Sequence, residues 1–143
     1  MEDLLDYISQ KIYQNSYVVV DGFMDELYRK ALLMEQTDLL NQGQFKKAAV
    51  GKGGQKQVRA EIRSDEVLWM DADSLSPLQA IFWEKIEELR QVLNRRCFLG
   101  LKSFDGHFAR YPIGSFYKRH LDQFHAVPHR VVTVILYLNE SWT

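Results

Sequence analysis

His120-Leu121-Asp122 sets an imidazole and a carboxylate two residues apart. On extended backbone, side chains at that spacing leave the same face, so both groups could grip one cation. Two histidines and one carboxylate on one face of an octahedral ferrous ion leave three positions open to other ligands, and this pair would supply two of those three protein groups. Such a tripeptide also arises often by chance. Alone it does not separate a metal site from an ordinary surface pair. His107, His125 and His129 are the other histidines. His125 and His129 are near enough in sequence to fold back over Asp122, but they flank Pro128 and read as surface turn residues rather than ligands.

The elements that must position this pair run from helices to strands. Leu4, Leu5, Ile8 and Ile12 recur at helical spacing and predict a short amphipathic helix over 2–14. Residues 17–20 read as a strand, the Asp21-Gly22 turn follows, and a second helix is predicted over about 25–40. Ser76-Pro77-Leu78-Gln79 combines a capping serine, a first-turn proline and a glutamine placed to close a capping box. It should open a long helix reaching about Asn94, buried along Leu78, Phe82, Ile86, Leu89 and Leu93. After Cys97 the texture is β: strands are expected over 98–102, 107–111, 115–119 and, from the run Val131-Val132-Thr133-Val134-Ile135-Leu136-Tyr137-Leu138, over 130–138. That last strand has the β-branched content of one covered on both faces. Helices first and strands later predict an α+β arrangement.

Between helix and strands, residues 44–63 carry Lys46, Lys47, Lys52, Lys56, Arg59 and Arg63 against the single acid Glu61, around Gly51, Gly53 and Gly54. Glycines permit a turn there, and Val58, Ala60 and Ile62 alternate like one arm of a β-ribbon. A basic hairpin is expected, either a solvated loop or a finger folding over a partner.

The chain has 143 residues, 46% hydrophobic and 26% charged, with a formal net charge of -1. That suits a single domain over 1–143 with a real core, and it gives no field for nucleic acid or an anionic membrane. The single cysteine, Cys97, has no partner for an intrachain disulfide and reads as a packing residue. No apolar run approaches a membrane span, and the first residues lack a signal-peptide pattern, so a soluble cytoplasmic protein is expected.

In order, the chain reads Tyr111-Pro112-Ile113-Gly114, His120-Leu121-Asp122, Arg130-Val131-Val132-Thr133, Tyr137-Leu138-Asn139 and Trp142. This resembles the prolyl hydroxylase branch of the 2-oxoglutarate oxygenases, whose pattern runs Tyr-Pro-x-Gly, His-x-Asp, Arg-x-x-Thr, Tyr-Leu-Asn and Trp. Upstream, Glu61-Ile62-Arg63-Ser64-Asp65 and Val67-Leu68-Trp69 extend the likeness, which covers 17–142 and is nearer to the oxygen-sensing type and its bacterial relatives than to the collagen type. The resemblance implies a double-stranded β-helix, a jelly-roll-like pair of sheets with the N-terminal helices packed outside. It implies His120 and Asp122 as iron ligands and catalytic residues, and Tyr111 and Tyr137 at the 2-oxoglutarate carboxylate. Arg63, Asp65 and Arg130 are the implied substrate-side residues, although Arg63 and Asp65 could equally be a surface ion pair and Arg130 a capping or pairing group on the sheet edge.

The implied reaction uses Fe(II), 2-oxoglutarate and O2, with ascorbate as an optional accessory, to hydroxylate a proline in a flexible segment of another protein, with a translation factor as one such substrate. In the family, a second histidine ligand and a basic partner for 2-oxoglutarate follow well after the tryptophan that matches Trp142. The chain therefore reads as C-terminally truncated, its barrel incomplete and the fragment alone inactive. The alternatives are a substrate-binding fragment without turnover and a related dioxygenase acting on another residue or a small molecule.

Overall fold

The computed structural model describes residues 3–50, 56–122 and 130–141. His125, Pro128, His129 and Trp142, with the glycines at the tip of the basic segment, lie outside them. Six elements follow one another: α1 (Leu4–Asn15), α2 (Glu26–Asn41), β1 (Lys46–Lys47), β2 (Glu66–Trp69), α3 (Pro77–Cys97) and β3 (His107–Arg110). The chain divides into two compact units interleaved in sequence, one from 1–32, 75–104 and 135–143, the other from 33–74 and 105–134.

In the first unit α1 and α3 pack together. Asp3 caps α1 by accepting from the Leu5 amide. Leu5 and Ile8 of α1 and Ile86, Leu89, Val92 and Leu93 of α3 are buried, as their helical spacing requires. Removing such a side chain from water contributes about 1.5–3 kcal/mol each. The capping box forms as expected: Ser76 Oγ accepts from the Gln79 amide at 3.1 Å and Gln79 Oε1 accepts from the Ser76 amide at 3.4 Å. Cys97 is a packing residue at the end of α3, its thiol 3.3 Å from the Ser9 carbonyl. Asp25 caps α2 through the Tyr28 amide, and the Tyr28 hydroxyl donates to the Leu78 carbonyl at 2.6 Å. Arg29 donates to the Leu138 carbonyl and lies 3.5 Å from Glu140, which ties 138–140 to the start of α2.

The second unit is built on a three-stranded antiparallel sheet, ordered β1-β2-β3. Leu68 pairs with Phe108 and Val67 with Ala109, placing Phe108 in a small core with Ala48. Phe45 lies 6.5 Å from Phe108, ring centre to ring centre. Glu66, opposite Arg110, takes its guanidinium at 2.7 Å. The basic segment closes as a hairpin through a single bridge, Val50 to Gln57, with hydrogen bonds of 2.8 and 2.9 Å.

The α+β reading and all three helices hold; several expected strands do not. Residues 98–102 are a loop because Asn94 occupies the Leu101 backbone, donating to its carbonyl at 2.8 Å and accepting from its amide at 2.6 Å, as a neighbouring strand would. Residues 115–119 keep only one bridge, Tyr117 to Arg63. The alternation over 58–62 ends in a turn at 60–62. Residues 17–20 and 130–138 have no ladder partner among the described residues. β-branched content creates a surface suited to a sheet, but only a neighbouring backbone makes a strand. Val131, Val134, Ile135 and Tyr137 are accordingly exposed rather than covered on both faces. The sheet is not closed into a barrel among the described residues.

Candidate functional site

His120 and Asp122 follow a strap that the second unit holds tightly. A turn precedes it: the Ser115 amide donates to the Pro112 carbonyl at 2.8 Å, and Gly114 takes the φ of +80° that such a turn asks of its third residue. Ser64 then clasps Phe116 twice, its amide donating to the Phe116 carbonyl at 2.8 Å and its hydroxyl accepting from the Phe116 amide at 3.0 Å. The Lys118 amide donates to the Ile62 carbonyl at 2.9 Å.

On this strap the imidazole and the carboxylate converge. His120 Nε2 lies 3.1 Å from Asp122 Oδ1, and His120 Nδ1 lies 2.8 Å from the Lys118 carbonyl. A carbonyl only accepts, so Nδ1 carries a proton, and Nε2 is the ring atom turned toward the carboxylate. Two acceptors at that distance need a proton or a cation between them. Ligand bonds of ~2.1 Å at right angles put cis donor atoms ~3.0 Å apart, so the pair fits two neighbouring positions of one metal ion. Nδ1 held by a carbonyl is the outer-shell arrangement that fixes a metal-binding imidazole.

Asp122 has further partners. Thr133 Oγ1 donates to its Oδ2 at 2.5 Å, and Arg130 Nη1 lies 3.9 Å from Oδ1. The Thr133 hydrogen bond, with the neighbouring His120 and Arg130, holds the Asp122 carboxyl below the usual aspartate range despite its partial burial. Both groups line a cavity of about 210 Å³ with Val50, Ile62, Tyr117, Leu121 and Arg130. Val50 and Ile62 come from the two arms of the basic hairpin, which thus faces the His-x-Asp pair.

Beside the cavity, Arg63 grips Asp65 through two hydrogen bonds, Nε to Oδ1 at 2.7 Å and Nη2 to Oδ2 at 2.5 Å. Asp65 is fully buried at 0% exposure and the Arg63 side chain is 13% exposed, so this is a buried ion pair rather than a solvated one. Tyr111 is half exposed, and burial together with the Asp65 charge raises its hydroxyl above the ordinary tyrosine value.

A family profile described as the 2OG-Fe(II) oxygenase superfamily matches residues 106–143. The crystal structure of a Pseudomonas putida prolyl-4-hydroxylase superposes with a TM-score of 0.85 at 29% sequence identity, covering 98% of this chain and 70% of that one. No curated protein matches the chain. Together the two matches support a relative of the 2-oxoglutarate/Fe(II) prolyl hydroxylase family. That kinship supports an oxidoreductase of the dioxygenase type, using Fe(II), 2-oxoglutarate and O2 with a second substrate. No helix among the described residues is long and apolar enough to cross a membrane.

Set against the positions that this family likeness suggested, the structure brings His120, Asp122 and Arg130 to one cavity and places Arg63 and Asp65 beside it. Tyr111 is not among the residues lining it, and Tyr137 belongs to the first compact unit, 59% exposed. Among the described residues no third histidine, cysteine or acid gathers at the pair. His107 instead lies against Trp69 across the β2-β3 ladder, with ring centres 4.5 Å apart and the planes tilted by 44°. Sequence reasoning missed Thr133 as the donor to Asp122, although the Arg-x-x-Thr spacing was its signal. It also missed Tyr117, which nothing in the residue pattern marks.

Proposed function

We propose that this protein is an Fe(II)- and 2-oxoglutarate-dependent dioxygenase that hydroxylates a prolyl residue of a protein substrate. The observation that carries the reading is the convergence of His120 Nε2 and Asp122 Oδ1 at 3.1 Å on a cavity faced by the basic hairpin. Kinship with a prolyl-4-hydroxylase supports the choice of proline. We read the two interleaved units as one functional domain, built on a double-stranded β-helix and working in the cytoplasm.

His120 and Asp122 would hold the metal, and iron bound there supplies the chemistry that couples 2-oxoglutarate oxidation to hydroxylation by O2. The chain's own groups prepare that site. The Lys118 carbonyl fixes the imidazole tautomer, and Thr133 orients the carboxylate while keeping it ionised. Val50, Ile62 and Leu121 give the cavity apolar side chains beside the pair. Arg130 on the cavity wall, with Arg63 and Asp65 beside the cavity, is the proposed substrate side. The family likeness alone, and not the cavity lining, suggests Tyr111 and Tyr137 as hydroxyl donors for the distal carboxylate of 2-oxoglutarate. Ascorbate would serve as an accessory reductant. The substrate is a proline in a flexible segment, with a translation factor as the first candidate.

The test is coupled turnover of 2-oxoglutarate to succinate with a proline-containing protein, read also by mass spectrometry. His120→Ala and Asp122→Ala should each abolish iron-dependent turnover and leave the far-UV circular dichroism nearly unchanged. Retained turnover in either variant removes the metal assignment. Target binding without succinate supports a substrate-binding protein, and hydroxylation away from proline supports a dioxygenase of other specificity.

A further inference from the structure

Three planar groups stack beside the cavity. The Arg63 guanidinium carbon lies 3.8 Å from the centre of the Tyr117 ring, and the Tyr117 ring lies 3.6 Å from the His120 ring at an interplanar angle of 8°. Two groups cannot share one face of a phenol at those distances, so the Tyr117 ring is sandwiched between guanidinium and imidazole. The far side of the stack cannot drift. Both Arg63 hydrogen bonds to Asp65 end on a carboxylate with 0% exposure, and the Arg63 backbone bridges that of Tyr117 directly.

We infer that Tyr117 is a positioning residue for His120, and that the buried Arg63–Asp65 pair acts through it to fix the plane of the metal-binding imidazole. The inference rests on the metal-site reading above. The Lys118 carbonyl restrains His120 at one atom, Nδ1, which leaves the ring able to swing about the axis through that contact. A parallel ring pressed on its face removes that swing. The guanidinium on the opposite face keeps the phenol from tilting away, as a cation over an aromatic face is held by the ring's charge distribution. Nε2 is thereby kept aimed at Asp122 before any ion arrives, so less freedom is lost on binding. This gives Arg63 and Asp65 an inward role besides any contact with substrate.

The experiment is a titration of the full chain with Co(II), followed by visible absorption, in the wild type and in Tyr117→Phe, Tyr117→Leu, Arg63→Lys and Ser64→Ala, with melting temperatures alongside. Tyr117→Phe keeps the stacked ring and should stay within about twofold of wild-type affinity, whereas Tyr117→Leu should lose ~10-fold, the lower end for disturbing an outer-shell contact. Arg63→Lys keeps the charge but not the planar face and should lose affinity by a few-fold, which decides the matter should Tyr117→Leu fail to fold. Ser64→Ala removes the hydroxyl half of the clasp on Phe116 and leaves the stack, so it should lower the melting temperature without moving Co(II) affinity. Wild-type affinity in Tyr117→Leu or in a folded Arg63→Lys overturns the inference, as does an equal loss in Tyr117→Phe or Ser64→Ala. Absence of Co(II) binding in the wild type removes the metal-site reading itself.

Discussion

Asp65→Asn preserves shape and removes charge at the most buried ionisable side chain among the described residues. The native carboxylate is 0% exposed and takes both Nε and Nη2 of Arg63, whose side chain is 13% exposed. In the variant one carboxylate oxygen becomes an amide nitrogen, so one Arg63 donor faces another donor and the guanidinium charge stays buried without its counter-ion. Removing one member of a buried pair costs ~3–5 kcal/mol, against ~0–1 for a surface pair. The surviving oxygen and the narrow access of Arg63 to water place this case near the low end, about 3 kcal/mol. With a urea slope of ~2 kcal/mol/M, the unfolding midpoint should fall by ~1.5 M. Amide exchange localises the effect, because the Ala48 amide donates to the Asp65 carbonyl at 2.9 Å and should lose protection. Replacing both partners by apolar residues, Arg63→Met with Asp65→Leu, should recover much of the loss, since no charge is then stranded. A midpoint shift below ~0.5 M for Asp65→Asn would show that water reaches the pair and that burial is not what holds it.

Three other perturbations probe separate parts of the chain. Thr133→Val removes the largest cause of the low Asp122 pKa, so the carboxyl should titrate nearer to the ordinary aspartate value in a carbon-13 NMR titration; an unmoved curve refutes the assignment. Because the folded-state pKa lies below the unfolded one, the stabilisation from Asp122 is complete above the unfolded value and is lost as pH falls through the folded value, a window that Thr133→Val should narrow. Ser76→Ala opens the capping box and should cost ~1 kcal/mol, a drop of a few degrees in melting temperature, while Ser76→Asp should retain most of the stability. Gly114→Ala meets no atom within 4 Å, so its cost of ~1 kcal/mol in urea unfolding comes from the positive φ alone; a neutral result would mean that the turn relaxes.

Legibility differed by element for physical reasons. The Ser76 cap and the α3 stripe depend on residues within a few positions of one another, so the sequence contains every partner. β2 was missed and 130–138 misread for the converse reason: a strand's defining partners are distant in sequence. Val67-Leu68-Trp69 sits in the middle of the sheet between Lys46-Lys47 and His107–Arg110. The richer run 131–138 has no ladder among the described residues. Asn94 shows how a side chain can displace a strand altogether, since its amide group meets both hydrogen-bonding needs of Leu101 from seven residues away. Propensity records the suitability of a segment for pairing and is silent on whether another backbone lies alongside.

The site shows the same division. Two pairs in the second unit share the spacing of charged group, one residue, carboxylate: Arg63-x-Asp65 and His120-x-Asp122. Sequence alone treats them alike, each as two side chains on one face of extended backbone. Their surroundings separate them. Arg63 brings a permanent positive charge, so the first pair neutralises itself and can sink into the protein. His120 brings no such permanent charge, and in the second pair a carboxylate and an imidazole nitrogen converge at 3.1 Å, with side-chain exposures of 32% and 36%, on the wall of a cavity. In the proposed reading a divalent cation would sit between those two atoms, with Arg130 3.9 Å from the same carboxylate oxygen. Tyr117 joins the pair that is complete in itself to the one proposed to hold an ion, which is why rigidity built at Asp65 is expected to be felt at His120.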